Sequence, residues 1–170
     1  MANFISREEA QRICERALSF SRADQARVNL NSSDTGNTRF AQNQMSTSGD
    51  ATNATLTITS ALGTKVASAT TNIFTDDALR RVVDTSEQLA RLVPENEEYM
   101  GELGAQQYPD SNPYFESTGE LAPERRAQAI TAVTEQAVSR NLISTGFLIH
   151  RAASSAVATS NGLFAYGTST

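Results

Sequence analysis

The chain has 170 residues, enough for one domain with its own core, and 39% of them are hydrophobic. The formal net charge is −5 and the Lys and Arg residues are not clustered, which argues against nucleic acid or an anionic membrane surface as a ligand. The N-terminal stretch lacks a secretory signal, and the one cysteine, Cys14, cannot form an internal disulfide. We therefore expect a soluble protein of the cytoplasm.

A first helix is predicted over residues 6–20. Ser6 and Glu9 stand at the two positions of a capping box, in which each side chain accepts a hydrogen bond from the backbone N–H of the other residue. Ala10, Ile13 and Cys14 then follow at helical spacing and indicate an apolar face. This pattern predicts that Cys14 is buried and chemically inert.

The segment 25–72 is rich in threonine and predicts an antiparallel meander. Gly36, Gly49 and Gly63 stand in three short turn signals between strand-like runs. The predicted strands cover residues 25–32, 37–45, 52–60 and 64–71. The second run contains TRFAQNQM (residues 38–45), which is unusual because polar residues occupy both of its faces.

The second half of the chain predicts two more helices and three more strands. A helix over 76–93 is followed by a long loop over 94–119, which its aromatic residues indicate to be ordered. A third helix over 123–140 begins with Pro123 and has Ala127, Ile130, Val133 and Ala137 as its predicted inner face. Strands over 142–150, 152–160 and 163–169 complete the chain, and Asn161-Gly162 predicts a hairpin between the last two.

These elements predict one domain over residues 1–170 of the α+β class. Its sheet is expected to be largely antiparallel, with about seven strands and three helices packed on one face. No catalytic residue or metal ligand is expected in this chain. His150 is the only histidine and has no companion ligands at metal-binding spacing, and no nucleophile elbow or glycine-rich phosphate loop occurs.

Three stretches together resemble the N-terminal domain of the TldD/PmbA family. The first is TRFAQN (residues 38–43), and the second runs from ATTNIF through the helix to VPENEEYMGEL (residues 69–103) and on to Gln107-Tyr108. The third is the C-terminal ISTGFLIHRAASSAVATSNGLFAYGTST (residues 143–170). They occur in the order of the family and are distributed over most of the chain, from residue 38 to residue 170.

The resemblance implies a part in peptide proteolysis, because the family, long called modulators of DNA gyrase, is understood as metallopeptidases. Family members are more than twice as long, and their His-Glu-x-x-x-His motif lies beyond the region that this chain matches. We therefore expect an N-terminal fragment or a truncated gene product, inactive alone and without a cofactor, whose full-length protein holds zinc. A peptide or unfolded polypeptide is the expected substrate of that protein, and a homo- or heterodimer with a family subunit is its expected assembly.

Two interpretations of the polar strand remain open. Its polar residues suit a solvent-facing edge strand, and they also suit a lining of the substrate enclosure. In the second case Arg39, Gln42 and Asn43 contact substrate or partner, and Tyr108 and Asn161 are further candidates. The alternative function is a stand-alone binding or regulatory module that acts through protein–protein interaction without proteolysis.

Overall fold

The computed structural model describes residues 4–108 and 113–170. Within them it has four helices and five strands. In chain order these are α1 (Arg7–Leu18), β1 (Gln25–Ala41), β2 (Gln44–Leu62), β3 (Lys65–Thr71), α2 (Asp76–Leu92), α3 (Glu116–Gly119), α4 (Pro123–Ser139), β4 (Gly146–Thr159) and β5 (Phe164–Ser169). The predicted α+β class with an antiparallel sheet is confirmed.

The sheet has the order β3-β2-β1-β4-β5, and every neighbouring pair is antiparallel. The central strand β1 pairs with β2 over its whole length and with β4 from Arg27 to Phe40. β3 and β5 are short and pair only with the parts of β2 and β4 that adjoin the first half of β1. One half of the sheet is therefore five strands wide, and the other is a three-stranded extension.

The predicted number of seven strands is wrong, because the breaks predicted at Gly36 and at residue 151 are strand interior; the turn predicted at Gly49 is also strand interior but is replaced by another turn. Gly36 lies in the middle of β1 and Gly49 lies in β2, where it pairs with Asn37. The strands predicted over 142–150 and 152–160 are likewise one strand, β4. The prediction of three helices omitted the single turn α3, which lies inside the predicted loop 94–119.

The true turn between β1 and β2 lies inside TRFAQNQM. Gln42 and Asn43 connect the two strands with φ angles of 51° and 61°. A two-residue hairpin with both central residues in the left-handed region matches the twist of its strands, and asparagine tolerates that region better than most residues. The stretch is thus a hairpin tip and not a strand.

Alternation along β1 separates a covered face from an open face. Ala26, Val28, Leu30, Ser32 and Thr38 are buried, and all five point to the side on which the helices lie. Their cross-strand partners Ile58 and Leu56 on β2 and Ala158 and Ala156 on β4 share that side. The core forms where α1 and α2 pack against these strands.

The first helix begins as its sequence predicts. Ser6 Oγ accepts from the backbone N–H of Glu9 at 3.2 Å, so this half of the predicted capping box is confirmed. Cys14 is completely buried in the core, as predicted. Burial raises the pKa of the Cys14 thiol to about 12, because it disfavours the thiolate. The nucleophilic form is therefore rare at neutral pH.

The helix α4 covers the three-stranded extension through a buried arginine. Arg126 is 1% exposed; its Nη2 lies 2.8 Å from Asp50 Oδ1, and its Nε donates to Thr38 Oγ1 at 3.2 Å. Arg126 Nη1 also donates to the carbonyl oxygen of Leu121 at 3.2 Å. Asp50 is 56% exposed, so it reaches the buried guanidinium from the surface, and its removal would leave that charge without a carboxylate partner. These contacts hold α4 against β1 and β2.

The buried row of α4 differs from the predicted inner face. It consists of Arg126, Ile130 and Thr134, whereas Val133 is 53% exposed. The prediction failed because it assigned an apolar side chain to the core and a charged one to solvent. Arg126 is buried instead, because Asp50 supplies a carboxylate partner for its guanidinium.

A glycine makes room for this buried group. A Cβ at Gly36 would lie 2.1 Å from both Arg126 Nη1 and His150 Cε1. His150 faces the same space, and its Nδ1 is buried without a hydrogen-bond partner among the described residues. Burial and the neighbouring Arg126 lower the pKa of His150, and the carboxylates of Asp50 and Asp34 oppose them.

We expect Gly36→Ala to destabilise the fold by about 1–3 kcal/mol, because the added methyl group overpacks the space that Arg126 and His150 occupy. Gly49→Ala is the matched control, since a Cβ there meets nothing within 4 Å. Urea denaturation of the two variants and the wild type measures the difference. Equal midpoints for both variants would contradict this account of Gly36.

We also expect His150 to make stability depend on pH. The pKa of an unfolded histidine is about 6.5, and the pKa of His150 in the fold is lower. Between these two pKa values the unfolded chain therefore binds more protons than the folded chain. The contribution of neutral His150 to the free energy of unfolding is complete above the unfolded pKa and is lost as the pH falls through the folded pKa. Denaturant unfolding of the wild type and His150→Gln at a series of pH values tests this, and an unchanged slope in the variant argues against it.

Candidate functional site

The face of the sheet opposite the helices is polar near its wide end. Asn29 and Asn31 of β1 point to this open face, together with Thr57 of β2 and Ser155 of β4, which pairs with Asn31. Ser155 Oγ donates to Asn31 Oδ1 at 2.9 Å. Hydroxyl and amide groups on a sheet face offer both donors and acceptors to a ligand.

The loop that follows α2 crosses to this open face and is held there by hydrogen bonds. The backbone N–H of Asn96 donates to the carbonyl oxygen of Thr64 at 3.0 Å. Thr159 Oγ1 donates to the carbonyl oxygen of Leu103 at 2.7 Å, and Asn161 Nδ2 donates to that of Glu102 at 2.7 Å. The predicted order of the loop is thus supported as far as residue 108; residues 109–112 lie outside the described part of the chain.

A buried carboxylate lies under this loop. The Glu102 side chain is 5% exposed, and its Oε2 lies 3.4 Å from Arg27 Nη1. Tyr99 donates its hydroxyl to Glu102 Oε1 at 3.3 Å, and burial together with the Glu102 charge raises the pKa of Tyr99. The Arg27–Glu102 pair therefore ties the loop to the start of β1.

Tyr108 lies at two cavities on this side of the sheet. The larger has a volume of about 880 Å³ and is lined by Asn29, Asn31, Gln106 and Tyr108 among others. The smaller, of about 380 Å³, lies between Tyr108 and the Arg27–Glu102 pair. Asn161 contacts the same loop at Glu102 from the β4–β5 turn, so two of the five sequence-predicted site residues belong to this loop region.

The other three predicted site residues lie at the far end of the sheet, in and beside the β1–β2 turn. Counting from Arg27 to Arg39, the separation along β1 is about 40 Å at the usual rise per strand residue. The five residues therefore belong to two separate regions.

Asn43 is engaged within the chain itself. Its Nδ2 donates to the carbonyl oxygen of Leu142 at 2.9 Å, and its Oδ1 accepts from the backbone N–H and the hydroxyl of Ser144, both at 2.7 Å. The backbone N–H of Asn43 donates to the carbonyl oxygen of Ser144 at 3.2 Å. The side chain thus fastens the α4–β4 connection to the hairpin tip, and Gln42 beside it is exposed.

Arg39 is exposed on the open face, directly opposite Phe147 of β4. Phe147 and Ile149 are 65% and 54% exposed, and Arg151 is exposed two positions beyond Ile149 on the same face. Neither the Arg39 nor the Arg151 guanidinium has a hydrogen bond or ion pair with the described residues. We call Arg39, Phe147, Ile149 and Arg151 the distal patch.

Sequence reasoning missed three of the four residues of the distal patch. The alternation of Phe147, Ile149 and Arg151 was visible, but it suits a strand with a buried face equally well. Only the pairing register shows that Leu148 and His150 point to the helices and that the larger apolar residues point away from them.

The side chains present do not fit a metal site. Among residues 4–108 and 113–170, no group of three or more His, Cys, Asp or Glu side chains is placed to hold a metal ion. In the same part of the chain, no helix combines the length and the apolar composition needed to cross a membrane.

The fold and the site define an α+β domain with helices on one side of an antiparallel sheet and an open, partly polar face on the other. Residues 26–90 match the family model described as PmbA/TldA metallopeptidase domain 1. This match covers well under half of the chain, and it shows that the segment is similar to the first domain of that family. The comparison with curated proteins gives no match.

Solved structures share the fold at low sequence identity. TldE from Thermococcus kodakarensis matches with a TM-score of 0.80 and 13% identity over 93% of this chain and 36% of its own. A proposed modulator of DNA gyrase from Bacteroides thetaiotaomicron matches with a TM-score of 0.74 and 17% identity over 96% and 39%. Another from Thermotoga maritima gives 0.73 and 12% over 94% and 37%. The chain thus spans well under half the length of each.

We expect Asn43→Ala to destabilise the far end of the sheet by about 1–3 kcal/mol, because Ser144 and Leu142 lose their side-chain partner and alanine resists the positive φ. Gln42→Ala is the control, since it has a similar φ and no such contacts. Hydrogen exchange of the backbone amides near Ser144 should accelerate in Asn43→Ala and not in Gln42→Ala. Equal exchange in both variants would remove the fastening role.

Proposed function

We propose that this chain is the N-terminal, non-catalytic domain of a TldD/PmbA-type metallopeptidase, and that it contributes to the substrate enclosure and to subunit contacts. The observation that carries the proposal is the match of residues 26–90 to the first domain of a metallopeptidase family. The fold supports it, because nearly all of this chain superposes on little more than a third of TldE.

In this proposal the domain contributes to the substrate enclosure and to subunit contacts through its open face. Helices cover the other face, so a wall built from this domain would present the open face to the enclosed space. Hydroxyl, amide and guanidinium groups on it suit the main-chain groups and carboxylates of a peptide. In this proposal the zinc is held by the part of the full-length protein outside this chain, since the described residues offer no ligand set.

A second candidate is a binding module that acts on a protein partner without proteolysis. The exposure of Phe147 and Ile149 favours it, because contiguous apolar surface on a folded domain marks an interaction site. The genomic reading frame distinguishes the two candidates. A frame that encodes a metal-binding domain together with this chain supports the peptidase, and a frame without one supports the module.

We expect Arg39→Ala in the full-length protein to lower peptide cleavage or subunit pairing about tenfold to a hundredfold while the melting temperature stays the same. The guanidinium is exposed and has no hydrogen bond or ion pair with the described residues, so its removal should cost the fold little. A charge-assisted contact to substrate or partner is worth about 1.5–3 kcal/mol.

Arg12→Ala is the matched control for this experiment, because the Arg12 side chain is 76% exposed on the helix side of the sheet. Cleavage and sedimentation of both variants are compared with the wild type. Wild-type cleavage and pairing by Arg39→Ala at unchanged stability would leave Arg39 without this role.

A further inference from the structure

The free edge of β4 makes the distal patch accessible to another strand. β5 pairs with β4 only from Ala153 to Ala158, so Gly146–Ala152 has β1 on one side and no described strand on the other. No backbone hydrogen bond of the described turns and loops reaches residues 146–152. Unpaired strand edges with exposed apolar side chains accept an added strand readily.

The charges of the distal patch indicate which kind of strand could add beside β4. Arg39 and Arg151 lie on the open face about 13 Å apart along the strand direction, with Ile149 between these two levels and Phe147 directly beside Arg39. The open-face positions of β1, β2 and β4 in this half of the sheet contain no carboxylate: they are residues 33, 35, 37 and 39, residues 47, 49, 51 and 53, and residues 147, 149, 151 and 153. Two cations without an ion pair among the described residues thus stand on open-face positions that contain no carboxylate, in a chain whose net charge is −5.

We propose that the free edge of β4 binds an extended polypeptide with alternating apolar and acidic residues, which adds to the sheet as a strand beside Gly146–Ala152. Its backbone would pair with the edge, its apolar side chains would lie beside Phe147 and Ile149, and its carboxylates would lie toward Arg151 and Arg39. The inference deepens the proposed function and rests on it in taking a peptide as the ligand.

A second copy of this chain is the less favourable occupant of the edge. It would bring two further arginines to the same face and no carboxylate to pair with them, and like charges in such an interface are costly. An acidic peptide instead gives Arg151, which is on the edge strand itself, a carboxylate with which it can form two parallel hydrogen bonds, and Arg39 one strand further in attracts the same negative charge.

The test uses the 170-residue chain and a fluorescein-labelled peptide, Glu-Ser-Leu-Ser-Leu-Ser-Glu, which presents the same pattern in either strand direction. We expect saturable binding by fluorescence anisotropy at low salt that weakens as salt is added. A peptide with Lys in place of Glu should bind at least about tenfold more weakly, because it repels both arginines.

Substitutions in the chain test whether the acidic peptide binds at the distal patch. Arg151→Gln and Phe147→Ser should each weaken binding of the acidic peptide about fivefold to tenfold, and Arg12→Gln should not change it. Equal binding of the Lys peptide, indifference to both distal-patch variants, or a concentration-dependent dimer that excludes the peptide would overturn the inference. A melting curve for each variant ensures that loss of binding is not loss of fold.

The two proposals fail separately. If the full-length protein cleaves peptides and this chain does not bind the acidic peptide, the peptidase proposal stands and the inference on the β4 edge is overturned. If the chain binds the acidic peptide and the full-length protein cleaves none, the inference stands and the peptidase proposal is overturned.

Discussion

The pairing of β1 on both of its edges is the constraint on which the other elements depend. Because β1 is hydrogen-bonded to β2 and β4 over nearly all of its 17 residues, its alternation sets which side chains of both neighbours face the helices. A shift of one residue would move Val28 and Leu30 to the open face and bring Asn29 and Asn31 into the core. The helix-covered core and the open face therefore follow from one register.

Sequence patterns predicted helix caps and hairpin turns well where neighbouring residues determine them. They predicted turns less well where residues far away in the sequence determine the structure. The cap at Ser6 and the Asn161-Gly162 hairpin involve near neighbours, and the structure has both. Gly36 resembled a turn residue, but it serves a guanidinium that lies 90 positions further along the chain. No pattern within a few residues of Gly36 could have shown that requirement. The tip at Gln42-Asn43 lacks the glycine that usually marks such a turn.

The sequence indicated which polar residues are candidates for the site, but it did not show which of them lie in the same region of the fold. The polar residues of TRFAQNQM have two different roles in the structure. Asn43 binds the α4–β4 connection, whereas the Arg39 guanidinium is exposed on the open face and has no hydrogen bond or ion pair with the described residues. Tyr108 and Asn161 belong to one region only because the loop after α2 crosses the sheet and contacts the β4–β5 turn at Glu102. That crossing depends on Glu102 and Arg27, whose pairing joins residues 75 positions apart.

The central position of β1 also has a kinetic consequence. β2 is joined to β1 by two residues and forms local contacts, whereas β4 must arrive from far along the chain: Asn31 and Ser155 are 124 positions apart. Closing so large a loop is entropically costly, so this pairing belongs to the slow part of folding. Until β4 docks, one edge of the long hairpin is unprotected and exposed to other chains. Asparagine, serine and threonine residues along β1 make an exposed edge less prone to aggregate, so we expect the polar open face of β1 to protect the chain before β4 docks.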